Sequence, residues 1–309
     1  MDNTTPIYSA LQKYSQENNL RLHMPGHAGG DGVNAGELKL AAGIDVTEVP
    51  GLDDLHLPQD VIKEASGLLA KAFGAAQALF LVNGATSGIH ALFLSLENRG
   101  ETILVPRNAH RSFYGGLVLS GLKPVYIPCQ IDTDSGIATS IDTKALQKLL
   151  QQTPNAAGVF ITSPNYYGAI SDIENISSTC ATFNLPLFVD EAHGAHFYFH
   201  PHYPQPALHS GADAVVLGLH KTWPVFNQGA CILVSEKFGR WEDLFACYSL
   251  LTTTSPSYPI LASIDLARAF MTSEGEKYLD SSWHLSREYH EKINTLPGLK
   301  CYQEEDWAQ

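Results

Sequence analysis

A few short stretches of the chain carry the side chains that could do chemistry. Lys221 follows an apolar run, Ala214 to Leu219, and stands between His220 and Thr222. Such a run reads as a buried strand, and an amine at the mouth of a buried strand is partly desolvated. Desolvation disfavours the ammonium and leaves more neutral amine to attack a carbonyl. That is the need of an imine-forming lysine; the plainer reading is a solvated turn residue. Asp190 ends a second apolar run, from Leu187, and opens Asp190-Glu191-Ala192-His193-Gly194-Ala195-His196. Asn83-Gly84-Ala85-Thr86-Ser87-Gly88 leads from an apolar run into an apolar helix, Ile89 to Leu96. A small-residue turn at a helix start presents free N–H groups and the positive end of the dipole, and Thr86 and Ser87 add hydroxyls. Such a turn can cradle a phosphate, although capping by Thr86 or Ser87 would use the same residues. His110 lies in Pro106-Arg107-Asn108-Ala109-His110-Arg111-Ser112, the loop after the run Thr102 to Val105.

The acidic segment at Asp190 admits three readings. His193, His196 and Asp190 could ligate a metal, but His-x-x-His shares a face only on a helix, and Gly194 disfavours one. An acidic helicase motif would need a GxxxxGK[ST] loop, which the chain lacks. A carboxylate at a strand tip, about 30 residues before the lysine, could instead hold a pyridine nitrogen protonated. No resident metal is expected.

The elements that must position these residues follow from the hydrophobic pattern. A short helix is expected from Tyr8 to Asn18. Pro and Gly make Arg21 to Gly30 a loop with two histidines, and Asp45 to His56 is an irregular acidic segment. Val61, Ile62, Ala65, Leu68, Leu69, Ala72 and Phe73 have helical spacing, and Gly74 stops that helix. Strands are expected at Ala78–Val82, Thr102–Val105, Lys123–Ile127, Gly158–Ile161, Leu187–Val189, Ala214–Leu219 and Gln228–Val234. Helices are expected after Asp142, over 172–183, through Ile260, Leu261, Ile264 and Ala267, and over 276–295. Leu296 to Tyr302 reads as the approach to another strand. The alternation implies an α/β fold with a mostly parallel sheet flanked by helices. Ligands of such sheets bind at the carboxyl ends of strands, where Thr86, His110, Tyr166, Asp190 and Lys221 all fall.

The 309 residues suffice for one large domain and part of another. Thirty-two acidic against 19 basic residues give a formal net charge of -13, which argues against nucleic acid or an anionic membrane as the main partner. The five cysteines are widely spaced without a CxxC pair, which fits a reducing, cytoplasmic setting. Met1 to Thr5 lacks the basic and apolar regions of a signal peptide, and no apolar run approaches membrane-spanning length.

Taken together, these stretches resemble the pyridoxal 5'-phosphate (PLP)-dependent decarboxylases of ornithine, lysine and arginine, of the aspartate-aminotransferase fold type I. The matching segments are His23-Met24-Pro25-Gly26-His27, Asp45 to His56, Asn83 to Gly88, Pro106 to Ser112, Tyr166-Tyr167-Gly168, Asp190 to His196, His220-Lys221-Thr222 and Ser255-Pro256-Ser257-Tyr258, in the family's order. The resemblance implies that Lys221 forms the internal aldimine, that Asp190 partners the pyridine nitrogen, and that His110 stacks on the cofactor. It implies phosphate binding by Ala85, Thr86 and Ser87, with His193 and His220 beside the cofactor. It also implies carbon dioxide release from a basic amino acid at a homodimer interface, to which His23 to His27 and Thr254-Ser255 contribute. Transamination and a non-catalytic cofactor-binding chain are the alternatives. Gly218 and Leu219 stand where the family usually has hydroxyl residues, Ala85 replaces a serine, and Ala28 replaces a lysine. The expected division is an N-terminal arm with loops (1–60), a PLP-binding large domain (61–270) and the start of an incomplete C-terminal domain (271–309).

Overall fold

The computed structural model describes residues 3–17, 19–96 and 99–302. The inner apolar runs become strands because they are buried on both faces, whereas the edge run Lys123–Ile127 is only partly covered. The strands are β1 (Gln77–Leu81), β2 (Thr102–Pro106), β3 (Lys123–Ile127), β6 (Ala156–Thr162), β7 (Leu187–Asp190), β8 (Ala214–Leu217) and β9 (Ala230–Val234), after the small β4 (Cys129–Ile131)–β5 (Ala138–Ile141) hairpin. They form one seven-stranded sheet in the order β3-β2-β6-β7-β8-β9-β1. The pairs β2/β3, β2/β6, β6/β7 and β7/β8 are parallel, and β9 is antiparallel to both neighbours. Every strand except β9 therefore points the same way, and their carboxyl ends share one edge. Chain direction across the sheet reverses between β2 and β6, the crevice where ligands of such sheets bind.

Helices cover the sheet. These are α1 (Pro6–Gln16), α2 (Gly36–Ala42), α3 (Val61–Phe73), α4 (Gly84–Leu94), α5 (Ser112–Ser120), α6 (Thr143–Gln152), α7 (Ile173–Thr182), α8 (Trp241–Leu251) and α9 (Tyr258–Asn294). As expected, Asp142 caps α6, its carboxylate accepting the Ala145 N–H at 3.0 Å. Helix α4 lies close on the sheet because Gly88 has no side chain. A Cβ there would sit 2.7 Å from Leu81 Cδ1 and 3.1 Å from both Ile232 Cγ1 and Val216 Cγ1. Helix α1 is tied to α9 by Asp265, which accepts the Ile7 N–H at 2.9 Å and pairs with Arg268 at 3.0 Å.

Two features differ from the sequence expectation. The helices expected through Ile260 and over 276–295 are one unbroken α9, so residue 270, taken as a boundary, falls inside it. Leu296 to Tyr302 do not form a strand; Cys301 N–H folds back onto the Asn294 side chain at 2.7 Å. Residues 303–309 lie outside the described residues. No helix among the described residues is long and apolar enough to cross a membrane.

Candidate active site

Lys221 sits on a single 3-10 turn (Leu219–Lys221) after β8, and its backbone N–H is held by Gly218 O at 2.9 Å. Its Nζ lies 3.1 Å from Nε2 of His193, on the loop after β7. An ammonium only donates, so Nε2 accepts and the neutral ring carries its proton on Nδ1. Burial depresses the His193 pKa, and the charges of Lys221, His110 and His220 depress it further. The desolvation expected of Lys221 is not found: the side chain is exposed in this chain, because the short turn lifts it clear of β8. Gly218 leaves room for its stem. A Cβ there would stand 2.9 Å from Ala192 O and 3.2 Å from Lys221 Cδ.

Asp190 is buried at the tip of β7, between Thr162 of β6 and Val216 of β8. Burial raises its pKa. The Ala192 N–H, donated to Oδ1 at 3.1 Å, and the charges of Lys221 and His110 oppose that rise. His110, Lys221, His193 and Asp190 thus act on one another electrostatically at the carboxyl edge. His110 Nδ1 faces Ser112 Oγ at 2.8 Å and the Ser112 N–H at 3.3 Å. An N–H only donates, so neutral His110 carries its proton on Nε2. His220 is the reverse case. Its Nδ1 lies 3.0 Å from Gly229 O and must donate, so Nε2 is the acceptor.

At the start of α4, Gly84 (φ +73°) donates its N–H to Gln228 O at 2.9 Å. Helix geometry gives the next amides, those of Ala85 and Thr86, no intrahelical acceptor. Thr86 is exposed there, but Ser87 is buried and its hydroxyl donates to Gly84 O at 2.9 Å. The hydroxyl expected from Ser87 is therefore turned inward, and neither Thr86 nor Ser87 is the cap, which is Asn83. A cavity of about 590 Å³ lined by Asn83, Gln228, Thr253, Ser255 and Ser257 adjoins this helix start. A larger one of about 880 Å³, lined by Leu68, Phe197, Arg268 and Glu276, holds none of these site residues.

The remaining motif residues brace the loops. His27 Nε2 meets Asp45 at 3.1 Å, and His56 Nε2 donates to Thr253 O at 2.9 Å. Asp53 accepts N–H groups from Gln59, Asp60 and Ile62 and so caps α3 from a distance. Burial works to raise its pKa, yet these backbone bonds hold it below the ordinary value. Tyr166 is exposed with its ring 6.1 Å from that of His193. The metal alternative at Asp190, His193 and His196 does not form. His196 turns away to pack on Phe197 and Tyr203, and burial lowers its pKa to about 4. Sequence reading missed the parts of Gln228 and Gly229, which act through backbone carbonyls that no residue type reveals.

The family model for the Orn/Lys/Arg decarboxylase major domain matches residues 5–305. The chain belongs to the Orn/Lys/Arg decarboxylase family. Among its relatives, the arginine decarboxylase of Bacillus cereus is 35% identical over 301 residues, covering 96% of this chain and 65% of that protein. The lysine decarboxylase of Francisella novicida superposes with a TM-score of 0.82 at 24% identity, over 96% of this chain and 44% of that one. An SPT structure solved with PLP shares the fold at a TM-score of 0.61 and 19% identity, over 75% of this chain and 56% of that one. The architecture, a mostly parallel sheet flanked by helices, is the fold of these solved structures. The chain spans less than two thirds of the length of the arginine decarboxylases of Bacillus cereus, Bacillus anthracis and Bacillus subtilis that it matches.

Proposed function

We propose that the chain binds PLP at the carboxyl edge of its sheet, and that the protein decarboxylates a basic amino acid, one of arginine, lysine or ornithine, to the amine. The observation carrying this reading is the approach of Lys221 Nζ to His193 Nε2, beside the buried carboxylate of Asp190. The donor set fits the cofactor. Amides at the α4 N-terminus suit a phosphate, a carboxylate buried at a strand tip suits a protonated ring nitrogen, and an amine stands beside it. Ala85 and Thr86 would hold the phosphate through their amides, with Ser87 shaping the turn behind them. His110 and His193 would flank the ring, and His220 would lie beside the same site. When bound, PLP supplies an electron sink for the pair left as carbon dioxide departs.

Lys221 would hold the cofactor covalently through its Nζ. His193, kept neutral by burial and by its cationic neighbours, accepts a proton from Lys221 Nζ and so makes the amine nucleophilic. Asp190 would keep the proton on the ring nitrogen of the bound cofactor. His110 presents Nε2–H to the site while Ser112 fixes its other nitrogen. Activity is proposed for the cytoplasmic whole protein as a homodimer. The exposed Leu20, Leu22 and Met24 beside His23 support a second copy as their cover.

The test is direct. PLP-loaded protein is reduced with borohydride and digested, and the pyridoxyl group is located by mass spectrometry; Lys221 is expected. Carbon dioxide release from arginine, lysine and ornithine is then measured beside keto-acid formation. Modification elsewhere, or keto acid without carbon dioxide, overturns the reading.

A further inference from the structure

Away from this site, two sequence spacings converge. His200-Pro201-His202 is a His-x-His pair, and His200 has extended backbone (φ -156°, ψ 132°). The chain then turns, Tyr203 N–H donating to His200 O at 3.3 Å, and the rings of His200 and His202 lie 4.9 Å apart. Asp280 and His284 are four apart on α9 and share a helix face. The fold brings the two pairs together. Asp280 Oδ1 lies 3.7 Å from His200 Nε2 and 3.5 Å from His284 Nε2. His200, His202 and Asp280 each offer a ligand atom, all within 4.8 Å of one another. Around a tetrahedral ion with bonds of about 2.0–2.1 Å, neighbouring ligand atoms are about 3.4 Å apart. The Asp280–His284 pair already has nearly that separation.

We propose that Asp280, His284 and His202 bind a divalent transition-metal cation such as Zn²⁺, with His200 as the donor that orients the carboxylate. The tautomer of His200 assigns its part. The His202 N–H donates to His200 Nδ1 at 3.2 Å, so the proton of the neutral ring is on Nε2, which faces Asp280. Ligating carboxylates are commonly fixed by an outer donor of this kind. Imidazoles with one carboxylate favour zinc, nickel or cobalt over magnesium and calcium, which prefer oxygen donors. Three protein ligands leave a position for water. His200 is buried, whereas Asp280 and His284 reach solvent and can take up an ion without opening the fold. The ring of Trp283 lies 5.5 Å from that of His202, so its emission reports on the site. This inference is independent of the PLP reading.

The purified chain is titrated calorimetrically with Zn²⁺ alone, and its melting temperature is measured with and without the ion. One ion per chain and a higher melting temperature are expected. H284A, at an exposed helix position, and D280N, at a half-buried one, should each weaken binding at least about tenfold, and H200Q by about 10–100-fold. H290A, further along α9, should bind as the wild type does. Absence of saturable heat, or wild-type affinity in both H284A and D280N, overturns the proposal.

Discussion

Lys221 Nζ and His193 Nε2 lie 3.1 Å apart, although 28 residues separate them and they sit on turns after different strands. Parallel pairing of β7 with β8 puts both turns on one edge. The contact couples an amine to a base that burial keeps unprotonated. His193→Phe keeps the ring and removes the acceptor, and should slow carbon dioxide release about 10²-fold. Because the His193 pKa is lowered from 6.5, the wild type should lose activity only as pH falls below that value. The variant should lack this acid limb. Rate profiles between about pH 5 and 8 check it; an unchanged limb removes His193 from the proton path.

Lys221→Ala should abolish covalent cofactor attachment and lower turnover by more than about 10⁴-fold. Exposure of Lys221 makes the substitution mild for folding, so the melting curve of the cofactor-free variant should match that of cofactor-free wild type. Visible absorbance and stopped carbon dioxide assays give the first result, calorimetry the second. Normal turnover would move the reactive amine elsewhere.

Gly88 lets α4 press on three strands, so Gly88→Val should overpack the contact with Leu81, Val216 and Ile232. A cost of about 1–3 kcal/mol is expected. Since the same helix start carries Thr86, cofactor affinity should fall as well. Urea unfolding and PLP titration measure the two effects; a loss of stability without loss of affinity would separate α4 packing from the phosphate site.

Asp265 supplies the N-terminal cap that α1 lacks locally, and its partner Arg268 is 2% exposed. Asp265→Ala should cost about 3–5 kcal/mol, because a buried guanidinium loses its carboxylate. Limited proteolysis should then cut first near α1. Wild-type protease resistance would show that apolar packing of Ile7 and Leu11 alone holds the helix.

The sheet was legible because its strands are short, continuous apolar runs, and their ends marked His110, Asp190 and Lys221. Helix α5 was not, since Gly115 and Gly116 argue against a helix. The structure explains both glycines: a Cβ at Gly116 would lie 2.8 Å from Phe93 Cγ, and one at Gly115 2.5 Å from His90 Nε2. Close helix approach outweighs propensity there. The inward turn of Ser87 and the exposure of Lys221 depend on tertiary placement and leave no mark in residue spacing. Asp53 fell in a segment expected only to be irregular and acidic, because the helix it caps begins eight residues later, at Val61.

Glu191 adjoins Asp190 but faces the other way, accepting from Tyr198 Oη at 2.8 Å and from the Ala207 N–H at 2.8 Å. Burial pushes its pKa up to about 8, and the Asp190 charge adds to that against the two hydrogen bonds. The folded value lies above the ordinary 4.5, so between 4.5 and about 8 the folded chain keeps a proton that the unfolded chain has released. The stability this proton contributes is complete below 4.5 and is lost as pH rises through about 8. His196 acts in the opposite direction: with a value lowered from 6.5 to about 4, it weakens the fold as pH falls through that interval. Glu191→Gln keeps the size and polar contacts of the side chain without its titration. The wild type should therefore show a urea midpoint that falls as pH rises from 4.5 through about 8, a fall that the variant lacks, while the His196 weakening as pH falls from 6.5 to about 4 is common to both. Parallel alkaline curves would assign the loss to another group and leave Glu191 ionised in the fold.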